Sequence, residues 1–96
     1  MRIDKKRQIG KRLKSIRTMQ QYPANTQMGF ARILGVPYRT YQDWELGKSK
    51  PKYEMVIKIG NLLGYNPAWI YFGEGQARRP IGERKIIPLR KAENDS

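Results

Sequence analysis

The chain has 96 residues, a length that supports one hydrophobic core and excludes a large multidomain enzyme. It carries 20 Lys and Arg against eight Asp and Glu, a net charge of +12, so the favoured partners are polyanions: nucleic acid first, an anionic membrane surface second. Because the sequence contains no Cys and no His, it excludes disulfide frameworks, zinc sites and imidazole-dependent catalysis. We therefore expect no cofactor and no enzyme activity. Without a membrane-length apolar run or a signal-peptide core, the sequence predicts a cytoplasmic protein.

The positive charge is concentrated at the two ends. Residues 1–20 hold eight basic side chains and one acidic one, and residues 77–96 hold six and three, whereas residues 21–76 are nearly balanced. Within the first segment Ile9, Leu13 and Ile16 follow helical spacing, which predicts a basic amphipathic helix. Its other face, with Lys5, Lys6, Arg12 and Lys14, is either solvated or in contact with phosphate groups.

The next segment has the pattern of two short helices joined by a tight turn. Thr26 can cap the first helix, and Gly35 can end it in the left-handed conformation. Pro37 fits the start of the second helix, and Gly47 can end that one. Apolar residues at helical spacing predict the buried faces: Phe30, Ala31 and Leu34 in the first helix, Tyr41 and Trp44 in the second. This arrangement is a helix-turn-helix.

Two further helices complete a predicted all-α, five-helix domain. One follows Pro51 and runs to Gly64, with an apolar face at Tyr53, Val56, Ile59, Leu62 and Leu63. Gly60 within it predicts a close approach of another helix. The last helix begins at the Asn66-Pro67 cap, ends at Gly73 and contains Ala68, Trp69, Ile70 and Phe72. We expect both Trp44 and Trp69 to lie in the core.

The sequence divides into a helix-turn-helix domain over residues 1–75 and a basic tail over residues 76–96. The tail is either flexible or contains a short dimerisation strand at 83–89, where Ile86, Ile87 and Leu89 are apolar and Pro88 limits the strand to a sheet edge.

The order of these motifs resembles the Cro/CI-type, or Xre-type, helix-turn-helix family, with its lambda-repressor-like DNA-binding domain. The resemblance covers about residues 9–75 and is carried by IGKRLK at 9–14, TQ at 26–27, FA at 30–31, LGV at 34–36, WELG at 44–47 and NPAWI at 66–70. Two features depart from the family pattern. The stretch between Arg17 and Thr26 is about three residues longer, with Asn25 where an apolar residue is usual and Tyr22 as its expected replacement, and Pro37 stands where Ser or Thr is common.

The resemblance implies that the second helix of the motif lies in the major groove and contacts base edges through Tyr38, Arg39, Gln42 and Asp43. The inward spacing of Tyr41 and Trp44 puts these four on the opposite face. Arg39 either binds guanine, contacts a phosphate or pairs with Asp43. Asp43 either accepts from cytosine N4 or orients Arg39, and we expect the second. Gln42 suits adenine or is solvated, and Tyr38 contacts a thymine methyl group or a phosphate.

Other residues are expected to hold the protein on the DNA backbone. The resemblance assigns phosphate contacts to Gln27 and Thr40, and the basic loop Lys48, Ser49 and Lys50 either straddles the backbone or is solvated. The resemblance also implies a structural ion pair between Arg17 and Glu45.

These expectations favour a sequence-specific, double-stranded-DNA-binding transcription regulator, a phage or prophage repressor or Cro-like protein that binds a pseudo-palindromic operator as a homodimer. Residues 62–76 and the 83–89 strand are the candidate dimer surfaces. An alternative is an antitoxin that binds a toxin protein through residues 77–96 and regulates its own operon. A nonspecific RNA or membrane-surface binder is disfavoured, because binding by charge alone does not require this pattern of helix-capping and helix-ending residues.

Overall fold

The computed structural model describes residues 4–78 and contains five helices in that range. They are α1 (Lys5–Thr18), α2 (Gln27–Leu34), α3 (Tyr38–Leu46), α4 (Tyr53–Leu63) and α5 (Pro67–Phe72). The all-α, five-helix prediction is therefore confirmed. An isolated antiparallel bridge joins Tyr65 to Arg78, and residues 4–78 contain no strand. The strand predicted at 83–89 lies outside the described residues.

Local sequence signals define the helix ends. Asp4 caps α1, where its carboxylate accepts hydrogen bonds from the backbone N–H groups of Lys6 and Arg7. The predicted caps at Thr26 and Asn66 are confirmed, since each side chain accepts a backbone N–H from its own helix. At α3 the cap position is Pro37, which makes no side-chain cap hydrogen bond. The three residues between α2 and α3 form the tight turn of the motif.

One hydrophobic cluster joins all five helices. α1 packs against α3 and α5, α2 packs against α3, and α4 packs against α5. The predicted inward residues of the first three helices, Trp44 included, are buried. The full set is Ile9, Leu13, Ile16, Phe30, Ala31, Leu34, Tyr41, Trp44, Val56, Ile59, Tyr65 and Ile70.

The predicted apolar face of α4 and α5 is wider than the buried one. Val56 and Ile59 are buried as expected, but Tyr53, Leu62 and Phe72 are 40–51% exposed, and Trp69 is half-buried against the core. α5 has six residues and extends from Pro67, beside Gly60, to Phe72, beside Tyr53, so Leu62 lies beyond the part of α4 that α5 contacts. Helical spacing continues past the region where a partner helix is available.

Two glycines permit close approaches between elements. A Cβ at Gly60 would lie 2.5 Å from the Tyr65 carbonyl oxygen and 3.0 Å from Pro67 Cγ, so the predicted close approach is to the α4–α5 connection and the start of α5. A Cβ at Gly10 would lie 2.9 Å from the Glu45 carbonyl oxygen and nearer still to that of Trp44. Gly10 thus lets α1 sit directly on the backbone of α3.

The connection between α1 and α2 corrects one expectation. Tyr22 is 80% exposed and does not replace the missing apolar contact, so that prediction is wrong. The connection is held by polar contacts instead: Arg17 Nη1 donates to the Asn25 carbonyl oxygen at 2.5 Å, and Gln20 Nε2 donates to the Ile16 carbonyl oxygen at 2.9 Å. Because these bonds anchor both ends of the connection, no buried aromatic ring is required there.

The Gly10 contact predicts the effect of one added methyl group. Gly10→Ala should lower the free energy of unfolding by about 1–3 kcal/mol, because the new Cβ meets backbone that cannot move aside. Urea denaturation measures the change, and Lys14→Ala, at an exposed position of α1, is the matched control and should change it by less than about 0.5 kcal/mol. A gain of about 1 kcal/mol for Gly10→Ala, as helix propensity alone would give, would contradict the close approach.

Candidate nucleic-acid interface

The predicted contact residues of α3 share its solvent side. Because Tyr41 and Trp44 are buried, the other face of the helix carries Tyr38, Arg39, Gln42 and Asp43. Tyr38 and Arg39 are exposed, whereas Gln42 and Asp43 are partly exposed. The structure therefore brings together all four residues that the sequence indicated for base contacts.

Contacts within this face differ from the expected ones. Gln42 Nε2 donates to the Tyr38 hydroxyl at 3.3 Å, which links the first and second turns of the face. Arg39 and Asp43 form no ion pair: within residues 4–78 the pair Arg17–Glu45 alone lies inside 4.0 Å. In the free chain Asp43 therefore does not pair with Arg39, in keeping with the small stabilisation that exposed pairs provide against side-chain entropy. The Arg39 guanidinium thus has no carboxylate partner.

A buried carboxylate supports the face from below. Glu45 Oε2 accepts from Arg17 Nε at 2.6 Å and from the Tyr41 hydroxyl. Its other oxygen, Oε1, accepts from Arg17 Nη2 at 3.1 Å and from Gln27 Nε2 at 2.9 Å. The Arg17 and Glu45 side chains are 11% and 5% exposed. This network, which we call the Glu45 network, joins α1, α2 and α3 through bonds to a single charged group.

The Glu45 network shifts the titration of its members. Burial alone would raise the pKa of Glu45, but the hydrogen bonds from Arg17, Tyr41 and Gln27 together outweigh it and hold that pKa below its ordinary value. The hydrogen bond to Glu45 raises the pKa of Arg17. Burial and the same carboxylate raise the pKa of Tyr41 above its ordinary value, so its hydroxyl stays a donor.

The structure gives Gln27 and Thr40 different positions relative to α3. Gln27 is half-buried in the first turn of α2, and its amide nitrogen is directed at Glu45, so it braces α3 within the motif. Thr40 lies in the first turn of α3 and is partly exposed. The geometry leaves Thr40 accessible to a ligand at the N-terminal end of α3.

The basic loop after α3 is tied to the helix that precedes it. The backbone N–H groups of Lys48 and Ser49 donate to the Asp43 carbonyl oxygen at 3.0 and 3.4 Å. Lys48 is exposed, and Lys50 Nζ donates to the Tyr71 hydroxyl at 3.0 Å. The sequence did not indicate Tyr71, because α5 is distant in the chain and no spacing rule links it to this loop.

Arg12 of the basic first helix has a structural contact that the sequence did not predict. Its Nη1 donates to the Ile70 carbonyl oxygen at 3.2 Å, near the end of α5, and the side chain is partly buried. A cation at a helix C-terminus satisfies a carbonyl group that the helix leaves free. Arg12 is therefore neither simply solvated nor directed at phosphate groups, whereas Lys5, Lys6 and Lys14 are exposed.

Residues 4–78 contain no group of three metal-binding side chains. No helix in this part of the chain has both the length and the apolar character needed to cross a membrane.

Comparison with known proteins agrees with the fold. The helix-turn-helix family matches residues 25–70, which run from the end of the α1–α2 connection into α5. The chain belongs to this family, and the resemblance is confirmed. It is 33% identical, over 65 residues, to the SPbeta prophage-derived uncharacterized HTH-type transcriptional regulator YonR of Bacillus subtilis (strain 168). That match spans 68% of this chain and 57% of the relative's length. No solved structure matches the chain.

The Glu45 network predicts a large effect of one neutralising substitution. Glu45→Gln leaves the partly buried Arg17 guanidinium without its counter-ion and should lower the free energy of unfolding by about 3 kcal/mol at pH 7. The exposed residue Glu54 provides the control substitution Glu54→Gln, which should have little effect. Denaturant titration of both variants measures the difference.

The same network predicts how stability depends on pH. Because the pKa of Glu45 is lower folded than unfolded, its stabilising contribution is complete above the ordinary carboxyl pKa and is lost as pH falls through the folded value. The wild type should therefore lose more stability on acidification than Glu45→Gln does. Equal acid dependence of the two proteins between pH 7 and pH 3 would show that Glu45 titrates normally.

Proposed function

We propose that this chain is a sequence-specific, double-stranded-DNA-binding transcription regulator that places α3 in the major groove. The observation that carries the proposal is the exposed face of α3, where Arg39 has no ion pair within residues 4–78 while the Glu45 network holds the helix from behind. An α-helix fits the major groove and presents side chains to base edges there. The name of the Bacillus subtilis relative, an HTH-type transcriptional regulator, supports the same function.

Each residue of the face has a distinct role in this proposal. Arg39 donates two hydrogen bonds to guanine O6 and N7, an interaction that discriminates between bases by about 1–3 kcal/mol. Gln42 binds adenine N6 and N7, and its bond to the Tyr38 hydroxyl steadies both side chains. Tyr38 contacts a thymine methyl group or a phosphate. Asp43, having no bond to Arg39, accepts from cytosine N4.

Backbone contacts then set the position of α3 in the groove. Lys48, Ser49 and Lys50 contact phosphate groups beside the C-terminal end of α3, Thr40 contacts them beside its N-terminal end, and Gln27 contacts one from the first turn of α2. The net charge of +12 attracts the polyanion and adds affinity that falls with salt.

A single α3 covers only a few base pairs, so the proposal includes a homodimer on a pseudo-palindromic operator. Its half-sites would lie about 34–36 Å apart, one turn of the double helix. Residues 62–76 offer the exposed side chains of Leu62 and Phe72 to such an interface. A phage or prophage repressor, or a Cro-like protein, would act by occluding a promoter, and the prophage origin named for the relative supports this reading.

The direct test is selection of binding sites from random-sequence duplex DNA at about 150 mM salt, followed by measurement of the mass of the complex. We expect an enriched pseudo-palindrome that is bound by two chains. Binding that shows no sequence preference and disappears with added salt would instead indicate attraction by charge alone.

Two substitutions separate base recognition from backbone contact. Arg39→Ala should relax the preference at one position in each half-site, by about 1–3 kcal/mol, and leave nonspecific binding nearly unchanged. Lys48→Ala should weaken binding to all sequences alike and reduce the salt slope by about one. Electrophoretic mobility shifts on the selected site and on a scrambled duplex measure both effects. A uniform loss of affinity for Arg39→Ala would overturn its role in base recognition.

A further inference from the structure

A surface cluster of aromatic rings lies beside the C-terminal end of α3. Tyr53 opens α4, and Tyr71 and Phe72 close α5; their ring centroids lie 4.9–5.8 Å apart. Tyr53 and Phe72 are 40% and 49% exposed, and Tyr71 is partly exposed. Tyr71 packs against the edge of the hydrophobic core, whereas Tyr53 and Phe72 are not part of it.

Two lysines from different parts of the chain converge on one ring of this cluster. Lys5 Nζ, from the first turn of α1, lies 5.0 Å from the centroid of the Tyr71 ring. Lys50 Nζ, from the loop after α3, lies 5.2 Å from the same centroid and donates to the Tyr71 hydroxyl at 3.0 Å. The ring electrons attract both ammonium groups, which otherwise repel each other.

No carboxylate neutralises this pair of charges. In the part of the chain that the structure describes, neither Lys5 nor Lys50 has an acidic side chain within 4.0 Å. The neighbouring residue Asp4 directs its carboxylate to the backbone N–H groups that begin α1. The two positively charged ammonium groups therefore lie close together without a counter-ion, and a site of this kind attracts anions.

The site adjoins the proposed DNA-binding face. Lys50 follows the C-terminal end of α3 by four residues, and α1 begins against the same end, since a Cβ at Gly47 would lie 3.3 Å from Arg7 Cα. With α3 in the major groove, the anions nearest this end of the helix are phosphate groups at the edge of the groove.

We propose that Lys5 and Lys50 form a two-lysine phosphate clamp on the DNA backbone and that Tyr71 is the positioning residue that holds them. The inference rests on the proposed function, since it takes DNA as the source of the phosphate groups. Tyr71 restricts the long, flexible side chains of Lys5 and Lys50 in the free protein, so less side-chain entropy is lost when the protein binds DNA. The clamp extends the protein's contacts with the DNA backbone from the loop after α3 to the first turn of α1.

The test measures dissociation constants on the selected duplex and on a scrambled duplex at several salt concentrations. Lys5→Ala and Lys50→Ala should each weaken binding to both duplexes and reduce the salt slope by about one. Tyr71→Phe, which keeps the ring and removes the hydroxyl acceptor, should weaken binding about threefold. Tyr53→Phe is the matched control, because it removes a hydroxyl from the same cluster while the ring contact to Tyr71 is retained.

A double-mutant cycle distinguishes positioning from a general effect on the fold. In the Lys50→Ala background, Tyr71→Phe should no longer change affinity, because the ammonium group that the hydroxyl holds is gone. Thermal unfolding of Tyr71→Phe should match the wild type, which separates the loss of binding from loss of structure.

Different results overturn different parts of the argument. If the protein selects a sequence motif but Tyr71→Phe binds as tightly as the wild type or tighter, or if its effect adds to that of Lys50→Ala, the clamp is wrong and the proposed function stands. If the salt slope is unchanged in Lys5→Ala, Lys5 contacts no phosphate and the clamp is again wrong. If the wild type binds neither duplex, the proposed function fails and the clamp fails with it.

Discussion

The structure depends on one buried negative charge. The Glu45 carboxylate lies at the centre of the helix-turn-helix and accepts hydrogen bonds from α1, α2 and α3 itself. A carboxylate removed from water is costly unless donors surround it, and here the Arg17 guanidinium supplies two of them. Because the donors come from α1, α2 and α3, the network adds to the core packing that sets the relative orientation of these three helices.

This constraint explains how the outer face of α3 can remain open. Surface contacts of α3 are not needed to hold the helix in place, and among the residues that the structure describes Arg39 has no ion pair. Gly10 also helps to hold α3 from its inner side, because it lets α1 pack on the backbone of α3 behind the exposed face. The rigid support lies inside, and the side chains with the greatest freedom to bind lie outside.

The basic residues of the first helix divide into distinct tasks. Arg17 neutralises Glu45, Arg12 caps the end of α5, and Lys5 lies over the Tyr71 ring. Guanidinium groups take the partly buried roles, since their planar donors can satisfy several oxygens at once, whereas the lysine remains at the surface. Part of the positive charge of α1 therefore serves the structure. The net charge of the chain overstates the number of basic groups that are free to bind a polyanion.

The sequence by itself determined the elements and their inward faces. Thr26, Gly35 and Gly47 carry local signals for helix ends, and each works through backbone geometry within a few residues. Tyr41 and Trp44 likewise defined both the buried side of α3 and, by exclusion, its exposed residues. The Arg17–Glu45 pair was expected from the family resemblance, and the structure shows the two in contact.

Tertiary structure decided what lies between elements distant in the chain. Spacing could not show that α5 is too short to cover Leu62, or that polar bonds at Asn25 leave Tyr22 in solvent. Nor could it bring Lys5, Lys50 and Tyr71 together, because their contacts arise where α5 meets α1 and the loop after α3. Helical periodicity reports only which side of a helix is apolar; where that side ends, and what meets the polar side, depends on the neighbouring helices.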